Sequence, residues 1–294
     1  MDQAQNLRNI IKRGSVKSAV RARILSVTSG KGGVGKSSVS VNLAIELARR
    51  GKNVVILDAD FGLANVEVML GIRPLYSLAD MMYHGKSLND IVCEGPEGVG
   101  FISGGSGIRE MSDMNEEQLL NLTMKLRTLD RLADIVIIDT GAGISDTVME
   151  LVMLSSEVLL VTTPEPTSIT DAYALLKSFD RKPEYQKKKT SIELIANRVN
   201  SISDGMELYR KLSSVSERFL DIPLDYLGEI PYDGNISKAV MKQQPIAVSF
   251  PESPAAKAIG RIADSLLGGG SREPELKRGL SDLLKEFFYR TSGR

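Results

Sequence analysis

One ten-residue stretch, Ser29-Gly30-Lys31-Gly32-Gly33-Val34-Gly35-Lys36-Ser37-Ser38, narrows the possible folds of this chain more than any other. A short Val/Ile-rich run, Ile24–Thr28, precedes it, and a 3.6-period pattern, Lys36–Arg50, follows. Glycines let the backbone turn tightly enough for successive N–H groups to point into one anion-sized cradle. Lys36 adds a charge for β- and γ-phosphates, and Ser37 offers a hydroxyl to Mg²⁺. The helix that follows directs its positive end at the same spot. Strand, loop, Lys-Ser and helix fall in the order that a nucleoside-triphosphate loop requires. The expected contacts are Gly30, Lys31, Gly32, Gly33, Val34, Gly35, Lys36, Ser37 and Ser38.

Such a loop needs carboxylates beside it, and two runs supply them. Val54-Val55-Ile56-Leu57 leads into Asp58-Ala59-Asp60, and Ile135-Val136-Ile137-Ile138 leads into Asp139-Thr140-Gly141-Ala142-Gly143. Carboxylates at the C-terminal ends of strands in an open α/β sheet face its ligand crevice. Asp139 is expected to reach Mg²⁺ through water, with Ser37 and Asp60 as the other metal-side groups. Gly141 and Gly143 permit a mobile loop that senses the γ-phosphate. Asp58 is expected to hold its own loop or to stand behind the metal.

The rest of the chain agrees with an α/β fold. Further strand candidates are Asn53–Leu57, Gly98–Ser103, Ile135–Ile138, Val158–Thr162, Ser191–Ala196 and Tyr226–Glu229. Helical patterns over Asn115–Leu132, Ser168–Phe179 and Met206–Phe219 separate several of them. Runs that are apolar on both faces and alternate with helices predict a mostly parallel, twisted sheet of seven or eight strands covered on both sides. With 42% apolar residues a core of that size can be filled. The 37 basic residues balance 37 acidic ones, which excludes nucleic-acid binding by bulk charge. One cysteine, Cys93, and one histidine, His84, exclude an internal disulfide and the usual zinc and four-cysteine sites. No run approaches a membrane span and no signal-peptide core is evident, so a cytoplasmic protein is expected.

The ends differ from the middle. Residues 1–23 carry Arg8, Lys12, Arg13, Lys17, Arg21 and Arg23 against Asp2 alone, a basic arm. The α/β domain then runs over 24–267, a Gly-rich linker over 268–275 and a terminal helix over 276–294. In that helix Leu276, Leu280, Leu283, Leu284, Phe287 and Phe288 form one apolar stripe opposite charged residues. Such a stripe docks on its own domain or lies in a membrane interface. The linker and the paired phenylalanines favour reversible membrane binding through Leu280, Leu283, Leu284, Phe287 and Phe288.

Lys31 is not required by the general phosphate-loop pattern. With Lys36 already in the cradle, the sequence resembles the deviant Walker-A ATPases of the MinD/ParA group, whose loop reads xKGGxGK[ST]. That resemblance implies ATP and ADP as ligands with Mg²⁺, an ATP-dependent homodimer in which Lys31 contacts the partner's nucleotide, and slow, dimer-dependent hydrolysis carried by Lys31, Lys36 and Asp60. It implies base-binding elements at Asn197 and Arg198 and at Pro231, Tyr232 and Asp233. It also implies a cytoplasmic protein peripheral on the inner face of the membrane. The segment Asp2-Gln3-Ala4-Gln5-Asn6-Leu7-Arg8 resembles the arm of the flagellar MinD-like (FlhG-type) ATPases, which stimulates the SRP-type GTPase FlhF. Asp2, Gln3, Leu7 and Arg8 would carry that activity, and flagellar basal-body (C-ring) components would be further partners. The implied function is control of flagellum number and placement. Septum placement by a MinD and DNA partition by a ParA are the alternatives.

Overall fold

The computed structural model describes residues 22–60, 65–105, 128–130, 133–181, 190–268 and 280–291, without the side chains of Thr147, Leu154, Phe288 and Thr291. The arm residues Asp2, Gln3, Leu7 and Arg8, all but the start of the linker, and most of the expected Asn115–Leu132 helix lie outside that set.

In chain order the described elements begin β1 (Arg23–Thr28), α1 (Lys36–Arg49), β2 (Val54–Ala59), α2 (Asn65–Leu70), α3 (Leu78–Tyr83), α4 (Leu88–Ile91), β3 (Cys93–Glu94) and β4 (Gly100–Ser103). Then come β5 (Ile135–Thr140), α5 (Asp146–Leu154), β6 (Glu157–Thr162), α6 (Pro166–Arg181), β7 (Ser191–Val199), α7 (Ile202–Leu220) and β8 (Asp225–Pro231). The last are α8 (Asn235–Met241), α9 (Ile246–Ser249), α10 (Pro254–Leu267) and α11 (Leu280–Thr291). The eight strands form one sheet in the order β3-β4-β2-β5-β1-β6-β7-β8. Every pairing is parallel except β3 with β4, an antiparallel edge too short to read from sequence.

The apolar runs are continuous because both faces of the sheet are covered. Leu25 and Val27 of β1, Val54 and Ile56 of β2, and Ile135 and Ile137 of β5 point to the face lined by α1 and α10. Their neighbours Ile24, Val55, Leu57, Val136 and Ile138 point to the other face, where α11 packs. Further along that second face, α5, α6 and α7 cover β6 and β7. Alternation along a strand therefore sorts residues between two cores rather than between core and water.

Helix α11 does not stand free. Leu280, Leu283, Leu284 and Phe287 are all buried against the second face of the sheet. A distant carboxylate fixes its first turn. Asp130 accepts the backbone N–H of Leu280 at 2.5 Å and that of Ser281 at 3.1 Å, and the Ser281 hydroxyl bonds to it as well. An anion at the positive end of a helix satisfies N–H groups that otherwise have no partner. At the other end Arg290 lies 3.6 Å from Glu150 of α5. Among the described residues no helix is long and apolar enough to cross a membrane.

Candidate functional site

Strand order brings the expected groups together. β1 lies between β5 and β6, and β2 lies on the far side of β5, so the loop after β1 and the carboxylates of β2 and β5 share one end of the sheet. The parallel register puts Asp58 directly beside Asp139. Both are buried and face α1, whose first turn holds Lys36 and Ser37.

Lys36 is almost fully enclosed, with Nζ 3.4 Å from Asp139 Oδ1. Ser40, one turn further along α1, donates to the same oxygen at 2.7 Å. The other oxygen of this fully buried carboxylate, Oδ2, has no hydrogen-bond partner. A buried anionic oxygen left open is costly unless a cation or donor meets it. Its position beside Lys36, with Ser37 in the same helical turn, fits the water-bridged Mg²⁺ expected of such a carboxylate.

Asp58 is pushed up to about 7, first by burial and then by the neighbouring charge of Asp139. Its Oδ1 accepts the Asp60 backbone N–H at 3.0 Å, which ties the loop after β2 to the carboxylate pair. A carboxylate raised in the folded state contributes stability below its ordinary range and loses it as pH rises through about 7. Nucleotide-free protein is therefore expected to lose stability between pH 5 and pH 8 by at most about 3 kcal/mol, since only the rise from pH 5 to about 7 lies below the folded-state value. In Asp58→Asn that part of the slope should vanish, which thermal melts at the two pH values measure.

The loop's glycines have distinct reasons. Gly35 has φ +94°, and a Cβ there would lie 2.4 Å from the Asn197 amide nitrogen. Gly30 has an ordinary φ, but a Cβ would sit 2.2 Å from the Asp171 carbonyl of α6, so the loop and that helix touch backbone to backbone. Gly32 and Gly33 face open space, where a ligand's phosphates can approach. The loop after β5 joins in, since Gly143 N–H donates to Ser29 O at 2.9 Å.

Lys31 goes elsewhere. Its Nζ donates to Glu165 Oε2 at 3.0 Å and Thr167 Oγ1 at 2.8 Å, outside the cradle that Lys36 occupies. Asp60 stands at the end of β2, with Oδ1 3.7 Å from where a Cβ on Gly141 would be. It therefore lies between the two loops that follow β2 and β5.

The residues expected at the base are less uniform. Asn197 is buried and its amide donates to Val34 O at 2.7 Å, so its described role is to brace the phosphate loop. Arg198 is exposed at a β-bulge with φ +57°, and its N–H bonds to Asn197 Oδ1 at 2.9 Å. A bulge of this kind turns a side chain out of the ladder toward a site. Tyr232 is 71% exposed beyond the end of β8. Asp233 accepts N–H groups from Asn235 and Ala255, which makes it a turn and helix-end carboxylate. Two groups escaped sequence reasoning. Ser40 and the Val34–Asn197 bond have no local signal beyond a polar residue on a buried face.

A family model described as "ParA: NUBPL iron-transfer P-loop NTPase" matches residues 20–267. The chain is 43% identical over 244 residues to Antiactivator FleN of Pseudomonas aeruginosa, covering 83% of this chain and 86% of that one. It is 31% identical over 298 residues to the flagellum site-determining protein YlxH of Helicobacter pylori, covering 98% and 97%. The septum site-determining protein MinD from Pyrococcus horikoshii OT3, solved in complex with Mg-ADP, superposes with a TM-score of 0.63 at 25% identity, covering 86% of this chain and 99% of that one. The phosphate loop, the carboxylate pair and the parallel sheet around them thus agree with full-length likeness: this chain belongs to the MinD/ParA family of P-loop NTPases, and ATPase activity is the general property of that family.

Proposed function

We propose that this chain is a MinD-like ATPase switch that regulates flagellum number and placement. The observation that carries the switch reading is the divergence of two lysines from one loop. Lys36 is enclosed on Asp139, while Lys31 points outward, 36% exposed, where a second protomer's nucleotide can meet it. Likeness to FleN and YlxH supports the flagellar assignment over septum placement, as does the Asp2–Arg8 segment. Iron transfer finds no support, because the single cysteine, Cys93, sits on the edge strand β3.

Phosphoryl transfer asks little covalent chemistry of a protein, only positioning and charge. The backbone of Gly32–Ser38 and Lys36 would hold the triphosphate, and Asp60 would orient the attacking water. Ser37, Asp60 and Asp139 would hold Mg²⁺, which when bound neutralises charge on the phosphate oxygens. Lys31 of each protomer would reach the other's phosphates, so hydrolysis is slow and needs the dimer. Arg198, Pro231, Tyr232 and Asp233 would flank the base.

The apolar stripe of α11 is buried in the state described, so lipid binding requires that helix to leave the sheet. A dimer brings two such helices, and the second binds at high effective concentration. Binding would place the protein on the cytoplasmic face of the cell membrane, with FlhF and C-ring components as partners and the arm acting on FlhF.

Lys31→Ala tests the reading. It is expected to bind nucleotide as wild type does and to remain monomeric with a non-hydrolysed ATP analogue. Light scattering that finds an ordinary ATP-dependent dimer in this variant would remove Lys31 from the interface.

A further inference from the structure

We infer that Glu165 and Thr167 form a holding site for Lys31 within the monomer, so that the cation used across the dimer is first tied to its own protomer. The inference rests on the trans reading of Lys31 and adds what opposes it.

The contact is built rather than incidental. An ammonium has three donors, and two are taken by Glu165 Oε2 at 3.0 Å and Thr167 Oγ1 at 2.8 Å. Pro164 and Pro166 flank Glu165, which restricts its backbone and presents its carboxylate from a stiff turn. Gly30 lets the loop seat against the Asp171 carbonyl of α6, and that close approach delivers Lys31 to the first turn of the same helix. Ser29 fixes the other side, its hydroxyl donating to Lys31 O at 2.9 Å.

Electrostatics sharpens the assignment. The N-terminus of α6 repels a cation, so Lys31 stays there only because Glu165 outweighs the helix end. To reach a partner's phosphates, Lys31 must give up both acceptors. The Gly143–Ser29 hydrogen bond sits at the base of this arrangement, so the loop that follows β5 is mechanically joined to the segment that carries Lys31. The pair is partly exposed, with Lys31 at 36% and Glu165 at 57%, so each contact is modest. A two-fold dimer breaks it twice.

The test is Glu165→Gln combined with Thr167→Val in the full chain, read in two ways. In the ADP-bound monomer, acetic anhydride labelling of Lys31, followed by mass spectrometry, should speed up by about two- to fivefold, the range of an exposed ion pair. With a non-hydrolysed ATP analogue, the dimer dissociation constant from sedimentation velocity should fall roughly three- to twentyfold, because two contacts no longer need breaking. Unchanged labelling would overturn the holding site. Faster labelling with an unchanged or weaker dimer would overturn its opposition to dimerisation. Lys31→Ala, run beside it, separates the two ideas: an ordinary dimer in that variant overturns the trans reading beneath.

Discussion

Asp60→Ala is expected to bind Mg-ATP and hydrolyse it at least about a hundredfold more slowly, the usual loss when a water-positioning carboxylate is removed. Of the groups that would hold Mg-ATP, Lys36, Ser37 and Asp139 remain, and their enclosure on α1 and β5 does not involve the Asp60 side chain. Asp60 stands instead over Gly141, between the loops after β2 and β5, and the proposed water-orienting role is what this substitution removes. Nucleotide affinity from a fluorescent analogue and turnover from phosphate release measure the two halves of the prediction. Unchanged turnover would make Asp60 a turn residue held by Asp58.

Asp130→Ala is expected to release α11. The substitution removes the acceptor for two backbone N–H groups and one hydroxyl, all buried, at a cost of about 2–4 kcal/mol to the docked state. Leu280, Leu283, Leu284 and Phe287 would then be uncovered without any change of nucleotide. Amide hydrogen exchange over 280–291 should rise by about one and a half to three orders of magnitude on that scale. Slow exchange retained throughout α11 would show that the apolar stripe alone holds the helix.

The phosphate-loop half of the candidate site was legible because its parts are local. A strand, a glycine loop, Lys-Ser and a helix are contiguous from Ile24 to Arg50, and each carboxylate follows its own apolar run. What was illegible depends on pairing between strands. That Asp58 stands beside Asp139 follows only from the β2–β5 register, and the upward shift of Asp58 follows from that neighbour and from burial. The brace between Val34 and Asn197 joins residues 163 positions apart. Helix α10 shows the opposite case. Its buried Ala255, Ala258, Ile259, Ile262, Ala263 and Leu266 follow a helical period as plainly as the stripe of α11 does, so this helix was legible although no helical pattern was assigned to it. For α11 the stripe was clear and its partner was not, because a protein groove and a lipid surface ask for the same side chains. Asp130, 150 positions away, is the group that favours the groove.

Sedimentation of the full chain with anionic lipid vesicles tests the switch most directly, run once with ADP and once with a non-hydrolysed ATP analogue. The switch account predicts that the protein stays in the supernatant with ADP, where α11 remains on the sheet, and sediments with the analogue, where the dimer presents two helices. Truncation after Gly270 should abolish sedimentation and leave the dimer intact. Equal sedimentation with both nucleotides, or sedimentation of the truncated chain, would contradict it.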